Sequence, residues 1–318
     1  MDRKLLRLVF LLMILFVKKF ILMPIPQETT QPEEAELVDE TTKKPDSRPV
    51  KYYKYNYNDS SPDGPKSWPG MCTTGVKQSP ISITPGQYLR KTSNPTINIT
   101  FDSANFKNPK TVKVINNGHG ATYTFIYDDN STVPKISGGI LGKEVYEFAS
   151  FHMHWPCEHS FILTDSCALE VHLVHFNSKY KTLDEAKGKP DGLAVIALLY
   201  VSTYTSELTT LPYIPMIKNI IEPNTEYDEI DPLKIFNYHD VIHLKVAPRI
   251  VSYKGSLTTP GCSETVSWLI FVTPHLVLES DMRQLKELKD PYNNKVLRNN
   301  RPVQPLNGRS VYLYVPYN

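Results

Sequence analysis

The amino-acid sequence predicts a mainly β (α+β) fold: one large sheet domain with short helices at its periphery. Strand-like runs rich in Val, Ile, Thr, Tyr and Phe recur along the chain, separated by clusters of Gly, Pro, Asn or Asp. Only two segments carry helical signals. With 318 residues, 41% hydrophobic and 11% aromatic, the chain can bury the core of a single β-rich domain of roughly 250 residues with extensions to spare. The net charge of +2, with both signs mixed throughout, gives no footprint for nucleic acid.

Residues 1–26 read as a targeting segment. A basic start precedes an unbroken apolar run over 8–17, which Lys18 and Lys19 interrupt before Pro24-Ile25-Pro26. An apolar core of this length suits a cleaved signal peptide better than a membrane span, which needs about 20 residues. An uncleaved N-terminal anchor is the alternative, and only then would the protein be membrane-attached. Both readings send the rest of the chain to a secreted or extracellular location. Residues 27–51 are Pro, Glu, Thr and Lys with almost nothing to bury, so a disordered linker or propeptide is expected. The folded domain is expected over 52–318.

Within it, strands are predicted over 97–101, 111–115, 121–127, 146–155, 169–177, 193–201 and 266–272. Residues 183–187 and 281–289 are predicted helical, the second with Ser280 as cap and Met282, Leu285 and Leu288 on one face. Residues 311–315 alternate like a strand, with no apolar tail behind them of the kind a lipid anchor needs. Four cysteines behind a targeting segment suggest two disulfides, for which three pairings exist. Cys157 and Cys167 could bridge a hairpin, and Cys72 and Cys262 would then close a loop spanning most of the domain. Sequons at Asn58, Asn98 and Asn130 fit the same secretory route.

The densest chemical signal is in the histidines. His152 and His154 stand at i and i+2 and so share one face of a strand. A third, His172, on a neighbouring strand can complete a three-nitrogen metal cage with an open fourth position. That ligand set is the pattern of a catalytic zinc ion, Zn2+. Glu170, two residues before His172 on the same face, is placed to accept that histidine's second ring N–H. His159 and His175 fall outside the ligand pattern and read as structural; His239, His243 and His275 carry no catalytic signal.

Seven ordered motifs resemble those of the α-class carbonic anhydrases, over nearly the whole domain. They are Gln78-Ser79-Pro80-Ile81, Asn116-Asn117-Gly118-His119, His152-Met153-His154-Trp155, the run 170–177, Asp191-Gly192-Leu193-Ala194-Val195, Gly255-Ser256-Leu257-Thr258-Thr259-Pro260 and Arg301-Pro302-Val303-Gln304-Pro305-Leu306. The resemblance implies a central, twisted, mostly antiparallel sheet of about ten strands, with zinc at the bottom of a conical cleft. It implies reversible hydration of carbon dioxide to bicarbonate and a proton, with His152, His154 and His172 as zinc ligands. It also favours the pairing of Cys72 with Cys262.

By the same resemblance, Thr258 accepts a hydrogen bond from the zinc-held nucleophile and gives its own proton to Glu158, while Thr259 lines the same polar wall. Val174, Val195, Leu257 and Trp268 form the apolar wall for carbon dioxide. His119 is the proton shuttle, read as a solvated imidazole titrating near pH 6.5, and Tyr57 and Asn117 help order its water chain. Some positions depart from the family pattern. Only Pro156-Cys157 separates Trp155 from Glu158, several residues fewer than is common, so the placement of Glu158 requires the hairpin disulfide or a rearranged turn. Ser150 stands where a longer Gln commonly supports the first zinc ligand, Phe176 replaces a frequent Trp, and Val251 a frequent aromatic at the cleft rim. A catalytically weak extracellular binding or matrix protein of the same fold is the competing reading, and zinc-dependent ester hydrolysis a possible side activity.

Overall fold

A computed structural model describes residues 55–315, except 85, 87, 92–96, 99–108, 128–132, 162–166, 206–207, 209 and 230–248. The expected targeting segment and linker lie outside the described residues, as do Asn130, His239 and His243. No helix among the described residues is long and apolar enough to cross a membrane.

The expected sheet is present. Its main path runs β11(Glu226–Glu229), β4(Thr111–Asn116), β5(Ala121–Ile126), β7(Tyr146–His154), β9(Cys167–Asn177), β10(Leu193–Thr203), β13(Val266–Leu278), β12(Ile250–Gly255), β14(Val311–Tyr314) and β2(Tyr88–Lys91). Neighbours are antiparallel except β10 with β13 and β14 with β2. β6(Lys135–Gly138) pairs with β7 and with β3(Ile97–Asn98), and β1(Ser82–Ile83) with β8(Ser160–Phe161) forms a separate short parallel pair.

The central strand β10 reads as a nearly continuous apolar run because both faces of the sheet are covered there. Along β10, Ala194, Ile196 and Leu198 enter one core with Phe151, Met153, Val171, Leu173 and Leu269. The alternate residues Val195, Ala197 and Leu199 enter a second core with Val174, Tyr253, Trp268 and Ile270. The period of two therefore puts His152, His154 and His172 opposite the first core and on the face of the second.

Several elements differ from expectation, among them β1, β2, β6, β8, β11 and β12, which are not among the predicted strands. β13 continues to Leu278 because its pairing with β10 jumps from Leu198↔Phe271 to Tyr200↔His275, a bulge that passes over Pro274. The last helix, α3(Glu279–Leu285), is therefore shifted: Ser280 lies inside it, and Leu278 occupies the cap position without a side-chain bond. α2(Leu183–Ala186) begins where expected, capped by Thr182, whose hydroxyl accepts from Glu185 N at 3.2 Å. A further short helix, α1(Met71–Thr74), carries Cys72. The disulfides are Cys72–Cys262 and Cys157–Cys167.

Candidate metal centre

The register of two central strands builds the site. β7 and β9 pair antiparallel with His152 opposite His172 and His154 opposite Glu170, so the three imidazoles converge on one patch of the sheet. Their ring centroids lie 4.7–5.2 Å apart, and one nitrogen from each lies within 4.8 Å of the other two.

Hydrogen bonds on the far side of the rings decide which nitrogens are available. Glu170 Oε1 accepts from His172 Nε2 at 2.7 Å, leaving Nδ1 of that ring for the cluster. The carbonyl of Asn299 accepts from His154 Nδ1 at 2.8 Å, leaving Nε2, which is buried without a partner. A buried ring nitrogen bearing a lone pair and no donor is costly unless a cation takes it. Burial, then mutual repulsion among the rings, lowers the pKa of His152 well below the usual imidazole value, and burial also lowers His154 and His172. Three neutral imidazoles aimed at one point fit a tetrahedral zinc with one open position. His152 has no ring partner among the described residues. Ser150, although buried, does not supply one.

Glu170 anchors more than one histidine. Its Oε1 also accepts from His159 Nδ1 at 2.6 Å, and its Oε2 from the backbone N–H groups of Glu158 and His159, both at 2.8 Å. Burial pushes this carboxyl upward, but the imidazoles of His159 and His172 outweigh it and hold the group well below the usual carboxylate range. His159 Nε2 meets the Tyr253 hydroxyl at 2.7 Å, and Tyr253 donates to Ser79 Oγ at 2.8 Å. His159 is thus a buried strut, consistent with its reading as structural.

The short turn brings Glu158 to the cluster. Glu158 is 2% exposed. Its Oε1 accepts from Arg301 N at 2.9 Å and lies 3.5 Å from His154 Nδ1. Burial pushes its carboxyl up to about 7, against the opposing pull of His172, the Arg301 N–H and the Thr258 side chain. Thr258 faces it from the 256–263 loop, which is held by Leu257 N donating to Ser263 O at 3.1 Å and Cys262 N donating to Thr259 O at 3.0 Å. The Arg301 guanidinium donates to Gln78 Oε1, Ser79 O and Cys72 O at 2.8–3.0 Å, which ties the Glu158 side of the site to the Cys72–Cys262 bridge.

The residues expected to form the apolar wall are neighbours. Val195 sits opposite Val174 on one side and Trp268 on the other, and Leu257 packs on the same core. The Trp268 ring lies 4.8 Å from that of His172. Its Nε1 donates to Ser256 O at 3.1 Å, fixing the loop that carries Leu257 and Thr258. Val251 is 1% exposed and packs in this core, not on a rim.

His119 departs from expectation. It is not a solvated imidazole: it is 9% exposed, stacked on Tyr55 at 3.6 Å and 2°, and burial lowers its pKa. Its Nε2 lies 2.7 Å from Tyr55 O and its Nδ1 3.2 Å from Asn117 O. A neutral ring can donate to only one of these carbonyls at a time. Asn117 also accepts from His119 N through Oδ1 at 2.9 Å. The turn depends on Gly118, at φ +81°, where a Cβ would come within 2.9 Å of Pro291. Tyr55, Tyr57, Asn117, His119, Thr259, His152 and His154 line a cavity of about 30 Å³. Tyr55, Tyr57 and His119 also line a larger outer cavity of about 510 Å³, which reaches Asp290, Lys295 and Arg298.

Asn299 and Tyr55 are functional neighbours without a signal at the level of sequence. Their contacts to His154 and to His119 Nε2 are made through backbone carbonyls, which every residue type possesses. The sequon residue Asn58 is exposed, and its Oδ1 accepts from Ser60 N at 3.0 Å; Asn98 lies in β3 with its side chain outside the described residues.

A sheet-borne cluster of three neutral histidines, backed by a buried carboxylate, defines this protein as a candidate metalloprotein of the three-histidine type. Residues 63–315 match the model of the eukaryotic-type carbonic anhydrases, and the chain belongs to that family. It is 29% identical over 265 residues to Carbonic anhydrase 7 of Homo sapiens, an overlap of 78% of this chain and 93% of that protein. It is 30% identical over 272 residues to Carbonic anhydrase 3 of Rattus norvegicus, covering 79% and 95%, and 30% identical over 257 residues to Putative carbonic anhydrase 5 of Caenorhabditis elegans, covering 78% of each.

Proposed function

We propose that this protein is a zinc enzyme that hydrates carbon dioxide reversibly to bicarbonate and a proton. The observation that carries the reading is the complete set of three imidazoles with two of their tautomers fixed from behind, by Glu170 and by the carbonyl of Asn299. His152, His154 and His172 would hold the ion, the last two through Nε2 and Nδ1. When bound there, zinc supplies hydroxide at neutral pH by lowering the pKa of its water from ~15.7 to about 7.

The chain's own residues have distinct tasks. Glu170 accepts four N–H groups, keeps His172 in the required tautomer and orients its ring. Thr258 donates its hydroxyl proton to Glu158, so that its oxygen can only accept from the attacking group and direct its lone pair at the substrate carbon. Val174, Val195, Leu257 and Trp268 present an uncharged surface on which a linear apolar molecule rests briefly. His119 carries the proton outward between the small cavity and the outer one, assisted by Tyr57 and Asn117. Its two carbonyl neighbours favour the protonated ring, while its burial favours the neutral one, and a carrier needs both states within reach.

The targeting segment points to secretion, with an uncleaved anchor as the route to membrane attachment, and the exposed Asn58 is the proposed glycosylation site. The decisive test is stopped-flow hydration of carbon dioxide by the purified protein, with zinc measured on the same sample. Turnover proportional to zinc, abolished together with zinc binding in His172→Ala, is the expected result. One zinc per chain without hydration would overturn the enzymatic reading in favour of a binding role.

A further inference from the structure

Two crosslinks flank the Thr258–Glu158 pair, one on each side. Cys262, in the loop that carries Thr258, is joined to Cys72, and Cys157, the residue before Glu158, is joined to Cys167 at the start of β9. The second crosslink lies where the chain has least freedom. Between His154, the last residue of β7, and Glu158 there are only Trp155, Pro156 and Cys157. Three further contacts hold the same turn: Cys157 N donates to Cys167 O at 3.4 Å, and Glu158 N and His159 N reach Glu170 Oε2. All of them anchor the turn to β9, the strand that bears His172. The carboxylate of Glu158 is thereby held against Arg301 N, on the side facing Thr258.

We propose that the Cys157–Cys167 disulfide is a positioning element for Glu158, and through it for Thr258, in the reaction of this chain: a covalent tie to β9 does the work that turn length alone does not. The inference rests on the carbonic anhydrase reading. A group acting at the reacting centre loses up to about 10²-fold for a displacement on the order of 1 Å, so a tie of this kind bears on rate even though no cysteine touches substrate.

The test uses the full chain with Cys157→Ala/Cys167→Ala, alone and combined with Thr258→Ala. Hydration is expressed per bound zinc, so unfolded molecules do not count. Removing the bridge is expected to lower kcat about tenfold or more in the parent, but to cost less than about twofold once Thr258 is absent, because residues acting through one another are not additive. Hydrogen exchange of the Arg301 amide, read on the folded fraction, reports the carboxylate position without reference to catalysis; its protection is expected to fall about tenfold. If the pair of alanines prevents folding, mild reduction of the native protein serves instead, since Cys157 is partly exposed whereas Cys72 and Cys262 are buried; thiol mapping identifies the opened bridge. Equal losses in both backgrounds, unchanged kcat per zinc, or an unchanged Arg301 amide would each overturn the proposal. A parent protein that binds zinc and does not hydrate carbon dioxide would overturn the functional reading instead, and the Arg301 amide would still decide the role of the bridge.

Discussion

Replacing Glu170 by Gln tests how the site sets the tautomer of its third ligand. The carboxylate accepts from His172 Nε2 at 2.7 Å and His159 Nδ1 at 2.6 Å through Oε1, and from two backbone N–H groups at 2.8 Å through Oε2. Glutamine has nearly the same shape but only one acceptor oxygen. The backbone N–H groups cannot give up their protons, so the amide oxygen must serve them and the NH2 must turn toward the two imidazoles. Both rings then have to present a lone pair. His159 can do so by moving its proton to Nε2, which then donates to the Tyr253 hydroxyl, a bond Tyr253 can accept while still donating to Ser79. His172 can do so only by placing its proton on Nδ1, the nitrogen it would offer to zinc.

Zinc binding in the variant therefore requires His172 to return to the Nε2–H tautomer and face an NH2 donor with another donor. The lost bond is to a charged acceptor and is worth about 1.5–3 kcal/mol, which corresponds to a loss in zinc affinity of roughly 10- to 150-fold at 1.4 kcal/mol per decade. The range overlaps the 10- to 100-fold typical of groups that support a metal ligand from behind. Competition against a chelator at fixed pH measures the affinity, and circular dichroism of the zinc-free proteins establishes that both are folded. A folded Glu170→Gln protein with zinc affinity within about twofold of the parent would refute the tautomer argument. Glu170→Ala is a poorer probe. It strands four buried donors at about 1–3 kcal/mol each, a cost comparable to the whole stability of a domain.

His119→Ala is expected to leave zinc content unchanged and to lower turnover on the order of 10²-fold in weak buffer, with recovery as a small imidazole buffer is added; unchanged turnover in weak buffer would exclude it as the carrier. Arg301→Lys keeps the charge but cannot reproduce the three guanidinium bonds to Gln78, Ser79 and Cys72. A destabilisation of about 2–4 kcal/mol in urea unfolding is expected from the acceptors left unpaired, and a change under about 1 would contradict the assigned role. Burial pushes His175 down to about 3, whereas the unfolded chain protonates it near 6.5. Between those values the unfolded state binds the extra proton, so stability is complete above pH 6.5 and is lost as pH falls, by about 2 kcal/mol at pH 5. His175→Phe should remove that part of the acid-side slope, as read from unfolding free energies at pH 7 and 5 with zinc saturating.

The legible parts of this molecule were those governed by short periods. Two histidines at i and i+2 must share a face if the segment is a strand, and the alternation of Phe151 and Met153 in β7, and of Leu169, Val171 and Leu173 in β9, orients that face without any knowledge of the partners. Glu170 was legible for the same reason. What the sequence left unread depends on pairing across long separations. The polar edge strand β11, Glu226 to Glu229, has only Tyr227 of the residue types that mark a strand, and forms because its backbone completes the ladder with β4. The proton that fixes His154 goes to a carbonyl 145 positions away, and a carbonyl carries no residue identity. His119 reads as a solvated shuttle imidazole until Tyr55, 64 positions earlier, stacks on it.

The departures from the family pattern fall on the same side of this divide. Ser150 leaves the first histidine without a partner among the described residues, while the other two have short, charged or carbonyl partners on deeply buried atoms. The metal-holding burden is therefore unequal. His172 and His154 are oriented before any ion arrives, and His152, the most exposed of the three, is oriented by the strand alone. Zinc loss should accordingly begin at His152. An engineered Ser150→Gln, supplying an amide oxygen to that ring, is expected to slow zinc dissociation by up to about tenfold, the lower end of what such a partner contributes. The same substitution should leave the Arg301 amide and the Glu158 turn undisturbed, since neither touches Ser150. A dissociation rate unchanged by Ser150→Gln would mean that β7 already fixes the ring as firmly as a hydrogen bond could. The shorter serine would then carry no cost in metal affinity.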